Sequence, residues 1–281
     1  MNSLYRDAIL KASEVRKRLK ANMFQPINIL DSCIELGINV KFVDVNMEGL
    51  YVRHRGTPTI LISNLRPFPR RCFTAAHELG HHVFNHGLKL DILSDEKQHS
   101  EFKEQDEILV DSFAAALLMP IGGLQAEFAK RNWSFKDASV INFFTVSSLF
   151  GVGYQTLINH CKANNLIDES KASILMKWTP AKIFNTYLSD ALEKSYFRII
   201  DHLAELSVVD LEISNYLILP SNMQLDECYL EKVLDSEIGC VFVARKAGIT
   251  SAHSSDGKSN YFIRIQKQNY IGFAEYRHFE N

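Results

Sequence analysis

His77-Glu78-Leu79-Gly80-His81 places two imidazoles four residues apart with a carboxylate beside the first. On an α-helix, positions i and i+4 lie about 40° apart around the axis, so both rings can reach one ion, and Glu78 flanks the place where a water would sit. This is the H-E-x-x-H pattern of zinc hydrolases, in which zinc takes three protein ligands and keeps a fourth position open. The flanks favour a helix. Phe73, Ala76, Val83 and Phe84 supply apolar positions, Thr74 or a residue just before it serves as N-cap, and Gly87 ends it, which predicts a helix over about residues 72–86. Gly80 inside that helix costs about 1 kcal/mol relative to Ala, so another backbone or a substrate is expected to approach closely at that turn.

A third ligand should come from a second helix, and residues 105–120 read as one, ended by Pro120. Glu107 and Asp111 stand one turn apart on it, and Glu107 follows His81 by 26 residues, enough for a loop to bring the chain back. We assign Glu107 as the third ligand because Asp111 is then placed to accept the free ring N–H of a ligand histidine and fix its tautomer. Asp106 and Glu104 are rivals for the same role. Ala114, Ala115 and Ala116 would let this helix pack closely on the Gly80 side of the first.

The other histidines are weighed separately. His82 and His86 are also four apart, but Val83 stands where a base would be, so they read as a surface or supporting pair. His99 lies in a polar loop and reads as solvated. Tyr154 and His160 are candidates for an oxyanion donor, with a partly buried structural histidine as the simpler reading of His160.

The runs Arg71-Cys72-Phe73-Thr74-Ala75-Ala76-His77-Glu78-Leu79-Gly80-His81-His82 and Asp111-Ser112-Phe113-Ala114-Ala115-Ala116-Leu117-Leu118-Met119-Pro120 resemble the paired motifs of the ImmA/IrrE family of bacterial metallopeptidases, over roughly residues 25–170. The resemblance implies a zinc-dependent intracellular endopeptidase that cleaves a helix-turn-helix transcriptional repressor, derepressing mobile-element or stress-response genes. Position by position, it implies His77 and His81 as ligands, Glu78 as base and Glu107 as third ligand. Beyond about residue 180 no family motif is found, so no sensing role is implied.

The fold expected is α+β. A zincin-like helical catalytic core with a small antiparallel sheet would occupy residues 1–177, with a helix-turn-helix-like subregion at about 121–177, and a C-terminal α+β domain of unassigned role residues 178–281. Helices are expected at 3–20, 26–36, 136–150, 154–163 and 180–206, and strands at 38–45, 49–54, 59–63, 208–219, 238–245, 261–266 and 270–276. An exposed edge strand could hold an extended substrate.

With 281 residues, 46% of them hydrophobic, the chain is long enough to bury a core. Its five widely spaced cysteines contain no C-x-x-C pair, which fits a reducing compartment better than a disulfide framework. No apolar leader opens the chain and no run of eighteen uninterrupted apolar residues occurs, so a cytoplasmic location is expected. The net charge of −2 gives no global preference for nucleic acid. Residues 77–120 nevertheless carry nine Asp/Glu against three Lys/Arg, a balance that suits either a basic protein partner or ordinary solvated helix faces.

Two alternatives belong to other classes: a non-proteolytic, metal-stabilised regulatory or antitoxin-like binding protein, and a DNA-binding regulator acting through residues 137–165. Residues 121–175 hold five Lys/Arg against four Asp/Glu, which argues against direct nucleic-acid binding.

Overall fold

The computed structural model describes residues 3–53, 56–86, 89–90, 101–189, 192–257 and 259–279. In chain order the elements are α1 (Ser3–Arg18), α2 (Ile29–Glu35), β1 (Asn39–Val43), β2 (Gly49–Val52), β3 (Thr59–Ser63), α3 (Phe68–Val83), β4 (Lys89–Leu90), α4 (Glu101–Leu118), α5 (Ile121–Lys130), α6 (Val140–Phe150), α7 (Tyr154–Ala163), α8 (Glu169–Met176) and α9 (Pro180–Tyr187). There follow β5 (Phe197–Ile199), β6 (Val208–Glu212), β7 (Tyr216–Leu219), β8 (Met223–Leu225), β9 (Leu230–Ser236), β10 (Gly239–Ala244), β11 (Gly248–Ser254), β12 (Asn260–Gln266), β13 (Gly272–Phe273) and a 3-10 turn at Ala274–Tyr276. The chain divides into two units, Met1–Leu124 with Asn269–Tyr276, and Gln125–Gln268 with Arg277–Asn281. The division therefore falls at 124/125 rather than at 177/178, because 125–177 pack with the later strands and 269–276 return to the first unit.

In the first unit, a sheet ordered β13-β1-β3-β2-β4 lies beside α3. Its strands alternate inward and outward residues, as a half-buried sheet requires. The expectation of an antiparallel sheet is corrected: β1 runs parallel to β3, with Asn39 opposite Thr59, while β2 is antiparallel to β3. The intervening β2 lies on the far side of β3, so β1 and β3 enter the sheet in the same direction.

Helix α3 starts earlier than its sequence suggests. Pro67 is the N-cap and Pro69 sits in the first turn, where the missing N–H costs nothing, so Thr74 is interior rather than a cap. Its end also comes sooner, at Val83, with Asn85 at a left-handed φ of 55° closing it; Gly87, expected to end it, lies outside the described residues. Helix α4 packs between α1 and α3 and buries Val110, Phe113, Ala114, Leu117 and Leu118. Residues 104–130 have the hydropathy of a membrane span, but Pro120 breaks them into two helices and α4 supplies core to this unit. Helix α1 meets α4 through Ala8, Ala12 and Val15, spaced three to four apart. The buried Arg16 reaches across: its Nε donates to the Leu117 carbonyl at 2.9 Å and its Nη1 to the carbonyls of Asn22 and Gln25.

The second unit holds the sheets β5-β7-β10-β9 and β6-β12-β11-β8 together with α6 to α9. Helices α6 and α7 form where expected, α6 ending at Gly151 with φ 65°. They carry Phe143, Phe144, Leu157 and Ile158 into the core, which supports the packing reading over a DNA reader.

Two long elements expected from the sequence do not form. The helix over 180–206 stops at Tyr187, and Phe197–Ile199 is a strand buried on both faces; a short buried apolar run fits helix and strand alike. The strand over 208–219 is broken at Ser214, whose φ of 69° sends its two halves into different sheets.

Candidate metal centre

Helices α3 and α4 pack at Gly80. A Cβ built there would lie 2.9 Å from Val110 Cβ and 3.1 Å from Phe113 Cδ1. The close approach at this glycine is made by these two side chains, not by the backbone or substrate expected from the sequence, nor by Ala114, Ala115 or Ala116. Its consequence is that one face of α3 meets the Glu107 turn of α4.

There His77 Nε2 and His81 Nε2 are 3.2 Å apart, and Glu107 Oε2 lies 3.2 Å from the first and 3.5 Å from the second. Of the three acidic candidates, Glu107 is the one that meets both rings; Glu104 is exposed and Asp106 faces His86 instead. Asp111 Oδ1 sits 2.8 Å from His77 Nδ1. A carboxylate accepts only, so His77 carries its proton on Nδ1 and turns a lone pair toward His81 and Glu107.

Three acceptors converging in this way repel one another unless a proton or a cation lies among them. Four ligands at about 2.0–2.1 Å around a tetrahedral zinc are separated by about 3.3 Å, which is the spacing found. His77, His81 and Glu107 could therefore hold a divalent ion. With both rings protonated and no ion bound, burial would work against the charge of Glu107, but hydrogen bonding and positive charge from His77 and His81 would outweigh it and hold the carboxyl well below the usual carboxylate range.

Glu78 is buried on α3, next to His77 but outside the triangle of ligand atoms. Strand β2 presses on it through Gly49: a Cβ there would come within 2.5 Å of Thr74 Cγ2 and 2.9 Å of Glu78 Oε1. The missing side chain is what gives the carboxylate room. No sequence rule pointed to Gly49, because its neighbour is distant in the chain.

His82 and His86 do not act as a pair. His82 Nδ1 meets the Tyr51 hydroxyl at 2.7 Å, on the sheet side of the helix, whereas His86 Nδ1 meets His81 Nδ1 at 3.0 Å. His86 is thus the site residue that the sequence reading underrated. Tyr154 is committed elsewhere: its hydroxyl donates to the Leu175 carbonyl at 3.1 Å inside the second unit. His160, in the same unit, is bonded to Asn164. His99 lies outside the described residues.

Residues 33–162 match the family model described as the IrrE N-terminal-like domain, Peptidase M78. This match supports an ImmA/IrrE assignment for that stretch and, with it, a peptidase-type domain. No curated protein matches it. Among solved structures, a Mycobacterium tuberculosis transcriptional regulator is similar at 17% identity and a TM-score of 0.35, over 55% of this chain and 46% of that one. The chain thus spans under half the length of that protein.

Proposed function

We propose that the chain is a zinc-dependent endopeptidase. The observation that carries this reading is the convergence of His77 Nε2, His81 Nε2 and Glu107 Oε2 within 3.5 Å of one another beside the buried Glu78. His77, His81 and Glu107 would hold the ion, and Asp111 would fix the His77 ring. When bound, zinc supplies Lewis acidity toward water and toward a peptide carbonyl. Glu78 is the general base: it takes a proton from the attacking water and later delivers it to the leaving amine. Burial keeps bulk water from competing for that proton, and the missing side chain at Gly49 leaves the carboxylate its room.

The substrate we propose is a helix-turn-helix transcriptional repressor, whose cleavage would derepress mobile-element or stress-response genes. The match of residues 33–162 to the IrrE N-terminal-like domain supports this, and the acidic balance of residues 77–120 suits a basic, DNA-binding partner. All five cysteines are free, which suits a reducing cytoplasm.

The purified protein should contain about one zinc per chain by elemental analysis. Glu78→Gln should keep that metal and lose cleavage of a co-expressed repressor. Equal processing by wild type and Glu78→Gln would overturn the peptidase reading and favour a binding role.

A further inference from the structure

This inference rests on the reading of His77, His81 and Glu107 as a metal site. We infer that His86, itself faced by Asp106, is the positioning residue of the ligand His81.

The end of α3 makes the contact. The Asn85 amide donates to the His82 carbonyl at 3.2 Å and the His86 amide to the His81 carbonyl at 2.9 Å, with Asn85 at φ 55°. These are the paired bonds of a Schellman turn, in which the residue after the left-handed position folds back onto the residue five places earlier. That contact is ordinarily apolar. Here it joins His86 to His81, Nδ1 to Nδ1 at 3.0 Å, while the His86 ring stacks on Phe84 with centroids 5.8 Å apart.

The protons follow from the geometry. His81 turns Nε2 toward His77 and Glu107, so its proton sits on Nδ1 and is donated to His86 Nδ1. His86 must then carry its own proton on Nε2, which faces Asp106 Oδ1 at 3.4 Å. The two ligand histidines are therefore oriented differently, for a reason of burial. His77 is touched directly by Asp111, whose side chain is 60% exposed. His81 is 1% exposed, and a carboxylate placed against it would be a buried charge at high cost. A neutral ring passes the influence of the carboxylate inward while Asp106 stays 39% exposed.

The test uses the full chain and reads metal binding rather than turnover. Zinc affinity is measured by chelator competition, and Co2+ absorption reports the ligand geometry. His86→Phe keeps a ring on Phe84 but offers no acceptor, and affinity should fall about 10–100-fold. His86→Asn places an amide oxygen near the position of Nδ1 and should recover most of the loss. Asn85→Gly keeps the left-handed turn and should bind as wild type, whereas Asn85→Val should lose affinity as His86→Phe does. The second pair reads the same contact should His86→Phe fail to fold.

Wild-type affinity in His86→Phe, or an equal loss in His86→Phe and His86→Asn, would overturn the inference. Should wild type itself bind neither zinc nor Co2+, the metal-site reading fails first, which is a distinguishable result.

Discussion

Asp111 Oδ1 lies 2.8 Å from His77 Nδ1, one helical turn beyond the Glu107 carboxylate that faces Nε2 of the same ring at 3.2 Å. Helix α4 thus presents a carboxylate to each nitrogen of one imidazole, and accepts the ring proton at Nδ1. Asp111→Ala should weaken metal affinity about 10–100-fold, and Asp111→Asn should weaken it less because its amide oxygen still accepts the ring proton. Chelator competition on the two variants checks the order.

Gly49 presses on Glu78, the base proposed above, rather than on the three proposed ligands. In Gly49→Ala the new methyl would meet Thr74 and the Glu78 carboxylate within 3 Å, so Glu78 must move. We expect peptidase turnover to fall about 100-fold, the scale of a 1 Å misplacement, with zinc content unchanged. Loss of zinc along with activity would refute this separation of roles.

Gly80→Ala sets two effects against each other. Helix propensity favours Ala by about 1 kcal/mol, but the added Cβ would sit 2.9 Å from Val110 Cβ, an atom bonded to backbone that cannot rotate away. Overpacking of this kind costs about 1–3 kcal/mol, so the net effect should be destabilising. Spreading α3 from α4 would also widen the His77–His81–Glu107 triangle. Urea unfolding and zinc affinity should fall together.

The buried Arg16 donates to three carbonyls, tying α1 to the last turn of α4 at Leu117 and to the segment that follows α1 at Asn22 and Gln25. Burial lowers its pKa to about 10, which leaves it charged at neutral pH. Arg16→Met would fill similar space and strand those acceptors, at a cost of about 2–4 kcal/mol. A change under about 0.5 kcal/mol in denaturant unfolding would show that water replaces the guanidinium there.

Cysteine reactivity should follow burial. The Cys33 thiol is pushed up to about 12, by burial first and by Cys72 second, and Cys161 to about 12 by burial. Both values are raised above the ordinary 9.0, so the folded state holds these protons more tightly than the unfolded chain. That contribution is complete below about pH 9 and is lost as pH rises toward about 12. At pH 8 iodoacetamide should modify the exposed Cys228 and spare Cys33 and Cys161 until the protein unfolds. From pH 9 upward stability should fall, and less steeply in Cys33→Ala.

Much of the centre was legible because helical spacing is a local property. His77 and His81 share a face whatever surrounds α3, and Asp111 follows Glu107 by one turn whatever surrounds α4. The second unit was harder to read. Tyr196, Ile199 and Ile200 keep a helix-compatible spacing, yet Phe197 to Ile199 form a strand covered on both sides, and Val208 to Leu219 read as one strand until Ser214 turns the backbone. In both places burial by distant segments decided between conformations that the local pattern left nearly equal.

From its sequence alone this chain determined two helices, the two imidazoles on one and the acid pair on the other, because periodicity and breakers such as Pro120 act within a few residues. Only the tertiary structure decided that Glu107 rather than Asp106 meets the rings, that Gly49 makes room for Glu78 and that His86 folds back onto His81. Each depends on a distance between groups whose separation is set by packing at Gly80, at β2 or at the left-handed Asn85, and side-chain packing of that kind has no period to read.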